Sequence, residues 1–93
     1  MTNNIQLKVT ITGRVQGVYY RAETKHTADR LGVKGYVKNL SNGSVEAVFE
    51  GDAETVRQMT DWCRKGPAAA VVEQVQAETA DALSNFKTFE IRY

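Results

Sequence analysis

The residues best suited to chemistry in this chain form one short run, Gly-Arg-Val-Gln-Gly-Val-Tyr-Tyr-Arg at positions 13–21. The run follows a segment with the pattern of a strand and leads into one with the pattern of a helix, so it presents several unpaired backbone N–H groups. Together with the positive end of the helix dipole, these groups favour an anion, and glycine lets the backbone curl closely around it. The run therefore predicts a phosphate-binding loop.

Arg21 would lie in the first turn of that helix, where the dipole slightly disfavours a positive charge. A solvated surface arginine is the alternative interpretation, but a bound phosphate would remove the conflict, and a guanidinium group binds two phosphate oxygens at once. The run lacks the signatures of nucleotide and dinucleotide loops. Val15 stands where a cysteine-dependent phosphatase has its cysteine, so we expect water to attack the phosphate directly.

The elements that must position this loop are marked by hydrophobic spacing. Residues 5–12 alternate apolar and polar side chains and predict a strand, and residues 20–31 predict a helix that Gly32 ends. Residues 33–40 and 44–50 predict two strands joined as an antiparallel hairpin through Ser-Asn-Gly at 41–43. Asp52 is the expected N-cap of a second helix that Gly66 and Pro67 end. Its expected inner stripe is Val56, Met59, Trp62 and Cys63.

The last third of the chain completes the predicted order of strands and helices. Residues 71–78 predict a fourth strand, residues 79–85 a polar connection and residues 86–93 a short aromatic strand, whose aromatic side chains we expect in the core. Two helices separated by a hairpin match the split βαβ arrangement, an α+β fold with both helices on one face of the sheet. We expect a single domain over residues 1–93.

The composition of the 93 residues is that of an ordinary globular chain, with 42% hydrophobic residues and a net charge of +1. This balance gives no broad field to attract nucleic acid or an anionic membrane. The start of the sequence shows neither a signal peptide nor a membrane span, so we expect a cytoplasmic protein. The lone Cys63 is expected to be a buried thiol and fits a reducing compartment.

The run at 13–21, with Gly-Tyr-Val-Lys-Asn at 35–39 and Asn-Gly-Ser-Val-Glu at 42–46, resembles the acylphosphatase family over essentially the whole chain. Its Gly-x-Val-Gln-Gly-Val-x-aromatic-Arg element is far more specific than a lone glycine motif. The resemblance implies a ferredoxin-like α/β sandwich, βαββαβ plus a short C-terminal strand, with an antiparallel-dominated sheet. It also implies hydrolysis of a small-molecule acyl phosphate to carboxylate and inorganic phosphate, without metal or cofactor. We expect the chain to act as a monomer.

The resemblance also implies roles for particular residues. Arg21 corresponds to the phosphate-binding arginine and Asn39 to the residue that orients the attacking water. The phosphate cradle corresponds to backbone amides of Gln16, Gly17, Val18, Tyr19 and Tyr20. Tyr20 stands where the family usually has Phe and Tyr36 where it often has Trp, and both keep an aromatic body. Because the cradle would use backbone amides, we expect the Gln16 side chain to matter less than Gly17.

No dependable general acid or base accompanies the loop. The Asn39 amide binds water but cannot take its proton at neutral pH, and His26 lies about 140° around the helix from Arg21. An acyl phosphate suits such a site, because its carboxylate leaving group, with a conjugate-acid pKa of about 4, needs no protonation. The phosphate itself accepting the water's proton is our hypothesis for the mechanism.

Two other functions remain open at this point. Residues 34–37 faintly resemble the aromatic strand of an RNA-recognition domain, but residues 44–50 contain only Phe49 as an aromatic and carry Glu46 and Glu50. Nucleic acid is therefore not expected. A non-catalytic phosphate-binding or regulatory domain would keep the same fold and anion site, and phosphate release from benzoyl phosphate would distinguish the two.

Overall fold

One five-stranded sheet and two helices make up the structure, a computed structural model that describes residues 3–93. In chain order the elements are β1 (Asn4–Arg14), α1 (Tyr20–Leu31), β2 (Lys34–Asn39), β3 (Val45–Asp52), α2 (Ala53–Lys65), β4 (Val71–Thr79) and β5 (Phe89–Arg92). The strands lie in the order β4-β1-β3-β2-β5, and every neighbouring pair is antiparallel except β2 and β5. This arrangement confirms the expected ferredoxin-like α+β fold.

Both helices pack on one face of the sheet, because alternate strand residues are apolar. Five of the β1 and β3 residues that face the helices are fully buried, and they form one cluster with the inner residues of α1 and α2. From the strands these are Val9, Ile11, Val45, Ala47 and Phe49, and from the helices Tyr20, Ala28, Val56, Met59 and Cys63. Burial of each large apolar side chain stabilises the fold by roughly 1.5–3 kcal/mol. The strand residues of opposite parity point away from both helices.

α1 ends, and α2 begins and ends, where capping residues predict. Gly32 has a φ of 77° after the last turn of α1, and its N–H donates to the Asp29 carbonyl at 3.3 Å. The Asp52 carboxylate accepts a long hydrogen bond of 3.4 Å from the Thr55 N–H at the start of α2. Gly66 follows the last residue of α2. Within residues 3–93, neither helix combines the length and apolar character needed to cross a membrane.

The hairpin between β2 and β3 is antiparallel, as predicted, with five residues, 40–44, between the two strands. The Leu40 N–H donates to the Ser44 carbonyl at 2.8 Å, and the Ser44 N–H donates to Asn42 Oδ1 at 3.0 Å. Gly43 has a φ of 94°, a left-handed conformation that glycine adopts without strain. This turn places Asn39, the last residue of β2, beside Val45, the first residue of β3.

The last strand is shorter than the predicted segment 86–93. The Phe86 N–H donates to Glu50 Oε1 at 2.9 Å instead of pairing in the sheet, and the Phe86 ring meets the Tyr36 ring edge-on at 6.0 Å. Glu50 belongs to the β3 residues that point away from the helices. Residues 80–88, which we call the crossing segment, therefore pass over the face of the sheet opposite the helices before β5 begins.

The prediction that the aromatic residues near the C-terminus lie in the core holds for only some of them. Phe89 is buried and stacks against Phe49, with ring centroids 5.9 Å apart. Tyr93 is 98% exposed, so the prediction is wrong for this residue. Trp62 of α2, also expected in the core, is half-buried and packs against it. Tyr93 differs from Phe89 because the parallel pairing of β5 with β2 ends at Arg92 and leaves Tyr93 beyond the sheet.

Candidate active site

The predicted phosphate loop is the connection between β1 and α1. Val15 is buried and fixes the start of the loop, whereas Gly17 is exposed and has a φ of 75°. A Cβ atom at Gly17 would meet no other atom within 4 Å. The glycine is therefore required by the left-handed backbone conformation and not by lack of space. The loop curls at the position that the sequence predicts.

The N-terminus of α1 opens toward the inside of this curl. Its N-cap residue, Tyr19, makes no side-chain capping hydrogen bond, and the Glu23 N–H donates to the Tyr19 carbonyl at 3.0 Å. The N–H groups of Tyr20, Arg21 and Ala22 come before that bond, so they have no acceptor within the helix. These donors and the positive end of the helix dipole suit an anion.

Tyr20 fixes the start of α1 against the end of α2. Its hydroxyl donates to the Cys63 carbonyl at 2.7 Å, and its ring centroid lies 5.7 Å from that of Trp62. A Cβ atom at Gly66 would come within 2.7 Å of the Tyr20 ring, so only glycine allows this close packing. Burial raises the pKa of Tyr20 far above its ordinary value, and the hydroxyl therefore stays protonated. The side chain anchors the loop and does not serve as an acid or base.

Gln16 connects the loop to the β2–β3 hairpin. Its Nε2 donates to the carbonyls of Leu40 and Ser44, each at 2.8 Å. These two carbonyls flank the turn that follows Asn39. The Gln16 amide thus joins the two segments that carry the predicted phosphate and water sites. That this side chain matters less than Gly17 stays a prediction.

A pocket of about 340 Å³ lies where the loop, the start of α1, the end of β2 and the C-terminal residues meet. Its lining residues are Val15, Gly17, Tyr19, Tyr20, Arg21, Ala22, Asn39, Ile91 and Tyr93. Arg21 Nη1 donates to the Arg92 carbonyl at 3.2 Å, and the Arg21 Cζ atom lies 4.7 Å from the centre of the Tyr93 ring. The hydrogen bond occupies one of five guanidinium N–H donors, so others remain for an oxygen anion.

The side chain of Asn39 contains a buried polar atom. Its Oδ1 is buried and, within the described residues, has no hydrogen-bond partner. A buried acceptor without a partner costs about 1–3 kcal/mol. Asn39 as a residue lies in the wall of the pocket, and the resemblance implies that its side chain binds the attacking water there.

The structure brings together most, but not all, of the predicted site residues. Gly17, Tyr19, Tyr20, Arg21 and Asn39 all line the one pocket. The other two, Gln16 and Val18, are not among its lining residues, so a contribution from their backbone amides stays a prediction.

Four lining residues were not predicted from the sequence: Val15, Ala22, Ile91 and Tyr93. Val15 lies within the glycine-containing run and Ala22 lies directly after it, so the boundaries of the run could have suggested both. Ile91 and Tyr93 reach the site only because β5 pairs parallel with β2, and Ile91 lies opposite Val37 in that pairing. No local pattern in the sequence indicates this pairing.

Among the described residues, neither the histidine nor the cysteine lines the pocket. His26 is exposed on α1 and is not among the residues that line the pocket, in agreement with its predicted direction. Cys63 is buried under the loop, where burial raises the pKa of its thiol to about 12. A thiol with so high a pKa is a poor nucleophile at neutral pH. The pocket thus offers hydrogen-bond donors and acceptors, with positive charge from Arg21.

Comparisons with known proteins agree with this geometry. Residues 7–91 match the family model described as Acylphosphatase. An acylphosphatase from Gloeobacter violaceus is 48% identical over 89 residues, which cover 94% of this chain and 96% of the relative. An acylphosphatase structure from Coxiella burnetii has a TM-score of 0.92 and 36% identity, with 97% of this chain and 94% of that chain covered. For an acylphosphatase from Bacillus subtilis, the TM-score is 0.93 at 28% identity, with 96% and 99% covered. The chain belongs to the acylphosphatase family.

Proposed function

We propose that the protein carries out the acyl phosphate hydrolysis of its family by holding the phosphate on the loop and Arg21 while Asn39 orients the attacking water. The products are a carboxylate and inorganic phosphate. The observation that carries the assignment is that Asn39 lines the same pocket as Arg21 and the first residues of α1, whose backbone N–H groups have no acceptor within the helix. The pocket joins an anion site to a water site.

Phosphate binding needs donors that converge on one place. The N–H groups of Tyr20, Arg21 and Ala22 at the start of α1 have no helical acceptors, and the left-handed Gly17 turns the preceding backbone toward them. The Arg21 side chain adds a charged fork that binds two oxygens. We assign the cradle to backbone amides of Gln16, Gly17, Val18, Tyr19 and Tyr20, as the family resemblance implies.

The reaction then depends mainly on how the water and the phosphate are positioned. A water held by Asn39 attacks phosphorus through its oxygen, the bond between phosphorus and the carboxyl oxygen breaks, and the electron pair leaves with the carboxylate. The water's proton passes to a phosphate oxygen, because Asn39 cannot accept it. A carboxylate leaves without protonation, and loose phosphoryl transition states depend mainly on positioning and charge stabilisation.

The substrate is a small-molecule acyl phosphate, and we propose that one chain acts on it as a monomer. We further propose one acylphosphatase-like domain over residues 1–93, located in the cytoplasm, where the buried Cys63 thiol stays reduced. A net charge of +1 supports a local anion site and not nucleic-acid binding.

Arg21→Lys tests the phosphate clamp, because it keeps the charge and removes the bidentate geometry. With benzoyl phosphate and a chelator present, we expect wild-type protein to release phosphate faster than buffer. The variant should lose about 10- to 100-fold in kcat/KM, the scale of a hydrogen bond to a charged group. Inorganic phosphate should inhibit the wild type competitively and the variant more weakly.

The matched control is Arg30→Lys, the same exchange on an exposed residue in the last turn of α1. It should behave as wild type in both measurements. Arg21→Lys with wild-type turnover and wild-type phosphate inhibition would remove Arg21 from the site. If the wild-type protein shows no turnover but still binds phosphate, the non-catalytic binding domain is favoured instead.

A further inference from the structure

Two tyrosine side chains at the pocket are unusually exposed. Tyr19 is 80% exposed and Tyr93 is 98% exposed, and both line the pocket. An aromatic side chain in a folded protein normally buries much of its large surface. Two exposed rings beside the same pocket form a surface on which an apolar part of a ligand can pack.

The backbone of Tyr19 gives a second, independent indication. Tyr19 has φ 65° and ψ 20°, the left-handed conformation, which is an outlier for a bulky residue. Glycine adopts this conformation without strain, as Gly17 does two residues earlier. Strained backbone of this kind is concentrated at ligand and active sites. Packing inside the protein does not explain a tyrosine here, because its ring is exposed.

The proposed reaction directs the acyl group toward these rings. The attacking water and the leaving group lie on opposite sides of phosphorus in an in-line displacement. Asn39, which would hold the water, is a half-buried residue of the pocket wall, whereas the tyrosine rings are exposed. With the water on the Asn39 side, the carboxyl oxygen and its acyl group would leave phosphorus toward the exposed side of the pocket.

We propose that Tyr19 and Tyr93 form an acyl-binding rim that makes the protein prefer acyl phosphates with an aromatic acyl group over acetyl phosphate. The inference rests on the proposed function and adds the substrate class. Tyr93 is held in place by its contact with the Arg21 guanidinium, at 4.7 Å from the ring centre. Tyr19 is held by the start of α1, for which it is the N-cap. A flat acyl group packs between or against these rings, and an acetyl group is too small to reach them both.

The test is the ratio of kcat/KM for benzoyl phosphate to kcat/KM for acetyl phosphate, measured for wild type and four variants. Tyr19→Asn removes the ring but keeps a residue that tolerates the left-handed conformation. Tyr93→Ala removes the other ring. Tyr19→Phe and Tyr93→Phe are the controls, because each keeps an aromatic ring at the substituted position. One aromatic contact contributes about 0.5–1.5 kcal/mol, so loss of either ring should lower the ratio about 2- to 12-fold. The phenylalanine variants should keep it.

The outcomes separate the inference from the function on which it rests. A ratio that is the same in wild type, Tyr19→Asn and Tyr93→Ala would overturn the acyl-binding rim while leaving the hydrolysis intact. If wild type hydrolyses neither substrate, the proposed function fails and the rim with it. Inorganic phosphate has no acyl group, so its inhibition constant should stay near the wild-type value in the variants whose kcat/KM ratio falls. If it follows that change in full, the tyrosines act on the phosphate cradle and the rim is overturned.

Discussion

A carboxamide oxygen buried without a hydrogen-bond partner is costly, and Asn39 carries one. The residue also lies at the end of β2, where Asn is usually explained by hydrogen bonds to the local backbone. Its Oδ1 makes no such bond within the part of the chain that the structure describes. The local explanation therefore does not apply to this atom, and the role of the Asn39 side chain toward a bound water stays a prediction.

Asn39→Ala should separate turnover from binding. Removal of one preorganised polar group typically lowers kcat by about 10² or more. The affinity for inorganic phosphate should change little, because Arg21 and the loop amides remain. Steady-state kinetics with benzoyl phosphate and competitive inhibition by phosphate measure the two quantities. A parallel loss in both would assign Asn39 to the phosphate cradle.

The aspartate variant is the stricter form of the same test. Asn39→Asp keeps an oxygen that orients water but places a negative charge beside the substrate dianion, so both binding and turnover should fall. If this variant matches wild type and gains a pH dependence near the pKa of a carboxylic acid, a general base operates in this pocket. Proton transfer to the phosphate would then be the wrong mechanism.

The sequence predicts individual residues well where a local motif contains them. Arg21, Gly17 and Asn39 come from short runs whose residue types already suggest an anion site or match the family, and the structure places all three on one pocket. Tyr93 could not be found in this way, since its position beside Arg21 depends on the pairing of β5 with β2. A contact between residues 72 positions apart has no local pattern.

At the scale of elements, the loop between β1 and α1 is held at both ends. Val15 is buried at its start, and Tyr20 is bonded to the end of α2. Between them, Gln16 joins the loop to the β2–β3 hairpin through two hydrogen bonds of 2.8 Å. The distance between the phosphate cradle and Asn39 therefore depends on the Gln16 side chain.

Substitutions at Gln16 and Gly17 should impair the enzyme for different reasons. Gln16→Glu keeps the size but cannot donate to the two carbonyls, so it should lower kcat/KM and destabilise the protein by about 1–3 kcal/mol. Gly17→Val should be harmful because a β-branched residue at φ 75° is strained, whereas Gly17→Asn tolerates this conformation and should retain more activity. Urea denaturation and benzoyl phosphate kinetics measure both effects. Wild-type kinetics in Gln16→Glu would show that the connection to the hairpin has no catalytic importance.

The elements themselves were predictable to the extent that their signals are local. Alternation predicts β1, and Gly32, Asp52 and Gly66 mark helix ends that the structure confirms. The predicted strand over residues 86–93 is wrong at residues 86–88, because apolar residues that cover the outer face of a sheet have the same composition as a strand. Hydrogen bonds to Glu50, remote in sequence, decide that Phe86 lies outside β5.

At the scale of the whole molecule, the two faces of the sheet are stabilised in different ways. The helices cover one face with an apolar core, while the other carries charged residues and the crossing segment. Glu46 contacts Lys8 and Lys38 at 3.5 and 3.6 Å and accepts from the Tyr36 hydroxyl at 3.1 Å. The crossing segment joins β4 at one edge of the sheet to β5 at the other, where β5 contributes to the active site.

Glu50 holds this crossing segment in place. Its carboxylate accepts hydrogen bonds from the Ser84 N–H at 2.7 Å, the Phe86 N–H at 2.9 Å and Gln6 Nε2 at 2.9 Å. Burial by itself would raise the pKa of Glu50, but these hydrogen bonds to the charged form outweigh it and lower the pKa below its ordinary value. The ionised carboxylate is thus the form that the folded state prefers.

The stability of the molecule should therefore fall in acid partly through Glu50. A carboxyl group whose pKa is lowered by folding contributes stability above its unfolded pKa of about 4.3, and that contribution is lost as the pH falls through the lower folded pKa. Glu50→Gln removes the charge, so it should lower the Tm near neutral pH and reduce the further loss of Tm below about pH 4. Thermal unfolding followed by circular dichroism at several pH values measures this difference, with Glu73→Gln on the exposed part of β4 as the matched control. Equal acid-induced losses of Tm in wild type and Glu50→Gln would show that the crossing segment is held by its apolar contacts and not by this carboxylate.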